Sequence, residues 1–185
     1  HKRGSFNSFL KNGFFFDKLN YNDSLKSINN NSKAITHISE LELNYTFSNE
    51  DMFSFGINNT YCLANSDAYT KNAEQNYFSI FGNYLKKSFS GNNSTLISIR
   101  QEHTLGKFQP FTYSISNRYE IKKWLVLKLI YNKLYRLPTF NNLYWNPGGN
   151  PSLLPENGSS RDFQIETKTR VFSMNQIKLQ ANSNI

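Results

Sequence analysis

Apolar and polar side chains alternate along most of this chain. The period of two is cleanest in PFTYSISNRYEI, where Phe111, Tyr113, Ile115, Tyr119 and Ile121 share one face and Thr112, Ser114, Ser116, Arg118 and Glu120 the other. It recurs with Leu41, Leu43, Tyr45 and Phe47 against Glu40, Glu42, Asn44 and Thr46, and with Phe53, Phe55, Ile57, Tyr61 and Leu63 against Ser54, Gly56, Asn58 and Thr60. TLISIRQEHT, LVLKLIYNKLYR and FQIETKTRV repeat it, weaker alternation runs near residues 4–20 and 75–88, and a last segment begins near Gln176. Because successive side chains of a strand point to opposite faces, the pattern predicts about nine strands, and no convincing helical period occurs anywhere.

Short turns are expected at SNED (48–51), SGNNS (90–94), EIKK (120–123) and FSMN (172–175), with longer polar loops at about 21–33, 66–74 and 137–158 and a modest one near 105–110. Short and long connections thus alternate, as in a membrane barrel with turns on one side and loops on the other. The fold class expected is all-β, an antiparallel up-and-down meander; alternation alone does not separate a soluble sandwich from part of a large transmembrane β-barrel not closed on itself, and the turn pattern favours the barrel. Tyr119, Ile121 and Trp124 flank a short turn, and Tyr131 and Tyr135 lie at the far end of the next strand, where interfacial aromatic girdles would fall. Parity then puts Leu125, Leu127 and Leu129 toward lipid and Lys128, Asn132 and Arg136 toward the lumen. Glu40, Glu42, Arg100, Glu102, Arg118, Glu166, Lys168 and Arg170 form a lumenal ladder of both signs.

Composition narrows the alternatives. The longest apolar run, WLVLKLIY, contains Lys128 and is far too short for a membrane-spanning helix. A mean hydropathy of -0.61 does not exclude a membrane barrel, in which only alternate residues meet lipid. The net charge of +8 is spread along 185 residues without a basic run or nucleic-acid motif, so no nucleic-acid partner is expected. Cys62 has no partner for a disulfide or a zinc site. His1, His37 and His103 lie far apart, with no nucleophile motif, metal-ligand cluster or phosphate loop, so neither enzymatic activity nor a cofactor or metal is expected. His37 and Glu40 fall on opposite faces by parity. The chain begins at His1 without Met or an export signal and stops within an apparent strand, as an internal fragment would.

The least regular segment is RLPTFNNLYWNPGGNPSLLPE, residues 136–156. Pro138 cannot continue a strand ladder, Pro147, Gly148 and Gly149 supply a turn with freedom for positive φ, and Pro151 and Pro155 stiffen the return. A loop pre-ordered in this way can present Tyr144 and Trp145 as fixed contact surface. The segment resembles the corresponding stretch of TonB-dependent outer-membrane receptors, especially their vitamin B12 receptor-like branch. Arg136, Pro138, Thr139, Phe140, Asn141, Leu143, Tyr144 and Trp145 match that family's first run, and Gly149, Asn150, Pro151, Leu153, Pro155 and Glu156 its second. Asn142 replaces the usual Asp and Leu154 the usual Lys, so two charges are missing.

The resemblance implies that residues 1–185 are part of a receptor barrel in the bacterial outer membrane, taking up a scarce large ligand such as a cobalamin-like molecule or an iron chelate. It implies as partners the membrane lipid, a plug domain and the TonB complex, with plug and TonB-binding segment outside this chain. Ligand contact is expected from Arg136, Asn141, Tyr144, Trp145 and Asn150 in an extracellular loop, with Pro138, Thr139, Pro151, Pro155 and Glu156 holding its shape. Structural roles compete with these: an ion pair of Arg136 with Glu166, and packing of Tyr144 and Trp145 on the loop prolines. A small complete barrel with a structural or adhesive role, and a soluble β-sandwich binding module, remain as other readings of the whole.

Overall fold

A computed structural model describes residues 4–23, 25, 28–47, 49–88, 90–168 and 177–184. One antiparallel sheet contains β1 (Ser5–Asp23), β2 (Ile28–Thr46), β3 (Met52–Ser66), β4 (Ala73–Lys87), β5 (Asn93–Thr104), β6 (Lys107–Phe108), β7 (Thr112–Lys122), β8 (Leu125–Arg136), β9 (Glu156–Thr167) and β10 (Ile177–Asn184). Nine of these pair in chain order, while the two-residue β6 folds back on β5 through Leu105 and Gly106, both at positive φ. The sheet is open, with β1 and β10 as its edges. The expected all-β up-and-down meander of nine strands is therefore what forms.

Three connections differ from the sequence reading. The long loop expected at 21–33 is mostly ladder: β1 and β2 pair as far as Asp23 and Ile28. Asn favours turns in isolation, but here Asn31 donates through its main-chain and side-chain nitrogens to Asp67 Oδ2 at 2.9 and 3.2 Å, which holds it in the strand. The turn expected at EIKK falls later, at Lys123 and Trp124, with an irregularity in the ladder between Glu120 and Lys122. Gly148 and Gly149 do not use positive φ; Gly91 and Gly106 do. The FSMN turn and Arg170 lie outside the described residues.

In the middle of the sheet the polar face is the more buried one. Along β3, Phe53, Phe55 and Ile57 are 45%, 42% and 36% exposed, whereas the intervening Ser54 and Asn58 are 3% and 8% exposed. Gln75, Ser79 and Glu102 extend the buried polar set on the same face, by register with Cys62, Asn58 and Ser79 respectively. A single-layer sheet shields one face in this way when it curls toward that face, so the polar side is the concave one. Parity holds as expected on β8, where Leu125, Leu127 and Leu129 share the apolar face and Lys128 and Asn132 the polar one.

The apolar face also carries a diagonal. A continuous register row joins Tyr131, Ile115, Ile97, Tyr84, Phe53, Tyr45 and Phe6. On β8, Tyr131 is the upper end of the apolar run that starts at Leu125; on β1, Phe6 is the lower end of a run that reaches Phe16. The middle of the run thus climbs from the level of Lys128 to that of Lys11, about eight residues or ~27 Å of strand, across about six strand spacings or ~29 Å of sheet. The band is inclined to the register rows by roughly 45°.

Candidate functional site

Four connections gather at the end of the sheet where β1, β3, β5 and β8 finish, and the longest, 137–155, is built around one helical turn, α1 (Phe140–Tyr144). Pro138 stops the ladder after Arg136, and Thr139 caps α1: its Oγ1 accepts from Asn142 N–H at 3.3 Å while Asn142 Oδ1 accepts from Thr139 N–H at 2.9 Å. This reciprocal box needs an acceptor at 142 but no charge there, so the missing carboxylate leaves the cap intact. Leu143 is buried beneath it.

The loop docks on the β3–β4 connection, residues 67–72. Trp145 opposes Tyr69 in an isolated antiparallel bridge. Thr70 N–H donates to Tyr144 O at 3.1 Å and Asn146 N–H to Ala68 O at 2.8 Å. The Tyr69 hydroxyl donates to Asn141 Oδ1, and burial raises the pKa of that hydroxyl above its ordinary value, keeping it a donor. Lys71 Nζ lies 5.4 Å from the centroid of the Tyr144 ring. The two connections belong to strands separated by β5 and β7, so they form a clasp across the concave side of the arc.

The residues singled out from sequence separate into different roles. Asn141 and Tyr144 are committed to the clasp, with Tyr144 half-buried. Asn150 is a loop organiser: its N–H donates to Asn142 O at 2.8 Å and its Oδ1 accepts from Ser152 N–H at 3.0 Å. Pro151 and Pro155 lie on the return and Glu156 opens β9. Arg136 Nε is 4.0 Å from Glu156 Oε2, both well exposed, so its partner is Glu156 and not Glu166, which pairs with Lys128 at 2.7 Å. The register explains this, placing Arg136 opposite Glu156 and Glu166 opposite Val126 at the other end of β8. Trp145 alone of the aromatic pair stays open, 52% exposed, with its ring beside Gly148. Gly149 is required for close approach: a Cβ there would sit 2.6 Å from Trp145 N and 2.8 Å from Tyr144 N. Sequence reasoning missed Ala68, Tyr69, Thr70 and Lys71, whose only local signal is an aromatic in a polar loop.

Below the clasp the polar face is lined by paired charges. Lys11 Nζ bridges Glu40 at 2.9 Å and Glu42 at 2.7 Å, Arg100 meets Glu102 at 3.3 Å, and Arg118 meets Glu120 at 3.2 Å. Tyr135 donates its hydroxyl to Glu102, so it serves this face and not the aromatic girdle expected for it. A hollow of about 350 Å³ lies along this face, with Phe81, Asn83, Ser98, Arg100, Ser114 and Asn132 in its lining. Among the described residues no group of three or more His, Cys, Asp or Glu side chains could hold a metal ion. No family model matches the chain, and no curated protein matches it.

Proposed function

We propose that this chain is a length of wall from an outer-membrane β-barrel of the TonB-dependent receptor kind, with the clasped loops at the extracellular mouth. The observation that carries the reading is the inclined apolar band on the convex face. Barrel strands tilt by about 35–45° from the axis, so a band lying level in a membrane must cross the register rows at that angle. A soluble sandwich has no reason to place its apolar residues along such a line, and it would cover them with a second sheet; among the described residues no second layer is present. The resemblance of residues 136–156 adds the receptor class, the energy coupling through TonB and a scarce large ligand of the cobalamin or iron-chelate kind.

The test uses the full-length protein. Membrane fractionation and heat-modifiable migration report the barrel, and uptake of labelled cobalamin and of a ferric chelate, with and without a functional TonB complex, reports transport. Barrel assembly with uptake abolished by loss of TonB is the expected result. A protein recovered folded in the aqueous fraction would sink the membrane reading, and a membrane barrel indifferent to TonB would leave the small structural barrel as the better account.

A further inference from the structure

Cations on the two faces are held differently. On the polar face Lys11, Lys87, Arg100, Arg118, Lys128 and Arg136 each have a carboxylate within 4.0 Å. At the long-loop end of the apolar face Lys18, Lys33, Lys133 and Arg161 have no such partner among the described residues.

Their positions are regular. Each stands two residues beyond the last outward apolar side chain of its strand, on the side of the long loop: Lys18 after Phe16, Lys33 before Ile35, Lys133 after Tyr131 and Arg161 before Phe163. They follow the inclined edge of the apolar band, not a register row, and so lie at one level if the band is level. They also form two pairs. Lys18 and Lys33 are directly opposed across β1 and β2, an arrangement in which like charges repel at a Cβ separation of about 5 Å. Lys133 and Arg161 are diagonal neighbours on β8 and β9, since Tyr131 faces Arg161 and Lys133 faces Ser159; the Arg161 guanidinium is 5.9 Å from the Tyr131 ring centroid.

We propose that these two pairs are binding sites for the phosphate of lipid headgroups in the leaflet at the long-loop rim. A phosphate oxygen set can accept from both ammonium groups of Lys18 and Lys33 at once and turn their repulsion into attraction, while the lipid's chains lie on the apolar side chains below, Phe14, Phe16 and Ile35 at one site and Tyr131 and Phe163 at the other. The occupant is a lipid because the cations border the apolar band; a soluble anion would gain nothing from that edge. The inference rests on the membrane reading of the preceding subsection.

The test takes the full-length protein into phosphatidylcholine nanodiscs containing a minority of phosphatidic acid and counts retained lipids by native mass spectrometry. Wild type is expected to hold phosphatidic acid in preference to phosphatidylcholine. Lys18→Gln with Lys33→Gln, and separately Lys133→Gln with Arg161→Gln, should each lower the retained phosphatidic acid by about half, and the four changes together should lower the preference by about tenfold or more, with heat-modifiable migration unchanged. Lys33→Glu is a second variant that keeps the fold in hand, because it gives Lys18 a cross-strand partner while removing the site; it should lose lipid and keep or gain thermal stability. Millimolar inorganic phosphate should not compete. Undiminished preference in the folded variants, or its abolition by inorganic phosphate, overturns the proposal. A protein absent from the membrane fraction would instead strike the membrane reading, which fractionation reports before any lipid is counted.

Discussion

Trp145 stands opposite Tyr69 in an isolated antiparallel bridge, so the loop after β8 is tied by main-chain bonds to the loop after β3. Backbone pairing fixes where the Trp145 ring sits without using the ring itself. Tyr144, one residue earlier, is spent on the tie through its carbonyl and through Lys71.

The two aromatics should therefore respond differently. Trp145→Ala in the full-length protein is expected to weaken ligand binding by about 2 kcal/mol, the loss of a central aromatic anchor, with amide exchange in both loops unaltered. Tyr144→Ala should raise exchange at the Thr70 and Asn146 amides. Unchanged affinity in Trp145→Ala would reduce the loop to a structural clamp.

Gly149→Ala should loosen the clasp by about 1–3 kcal/mol, since the added Cβ meets backbone nitrogen of Trp145 and Tyr144, which cannot step aside. Gly148→Ala meets the Trp145 ring at 3.3 Å, and a ring can turn. Limited proteolysis between residues 137 and 155 should distinguish the two, with Gly148→Ala close to wild type; equal protection of both variants would contradict the cradle.

Leu129→Arg separates a lipid-facing surface from a wet one. Leu129 is 55% exposed, and in water such a change falls within about 0.5 kcal/mol of neutral. Near a bilayer midplane it costs about 2–4 kcal/mol. Equilibrium unfolding of the full-length protein from lipid vesicles provides the number, and a neutral result would argue that this face is not in lipid.

Asp51, in the turn before β3, is held below the usual carboxylate range chiefly by the Lys87 N–H, with Tyr84 and Asn49 also donating to it. A depressed folded-state pKa means stability that is fully present above the ordinary value of about 4 and is lost as pH falls through the folded value. Thermal unfolding should thus steepen in acid for wild type and flatten there for Asp51→Asn. An identical acid limb in both would remove Asp51 from the account.

The faces of the strands were legible because the backbone pleat makes parity a local property: PFTYSISNRYEI needs no partner to show which side chains travel together. Boundaries were less so. Asn22, Asn29, Asn30 and Asn31 read as loop because Asn competes for its own backbone, yet a long neighbouring ladder and Asp67 hold that hairpin extended. The turn after β7 shifted because a strand irregularity leaves no mark in an alternation that is ending anyway.

Sequence by itself determined that this chain forms strands, which side chains share a face, and that 136–156 is a pre-ordered loop. Each of these follows from steric rules acting over a few residues. Tertiary structure alone decided that the polar face is the concave and buried one, that Arg136 meets Glu156 and Lys128 meets Glu166, that Tyr69 and Trp145 adjoin, and that the apolar band runs at an angle to the rows. Those relations depend on register between strands far apart in the chain, and register is set by the sum of all cross-strand contacts, which no single segment contains.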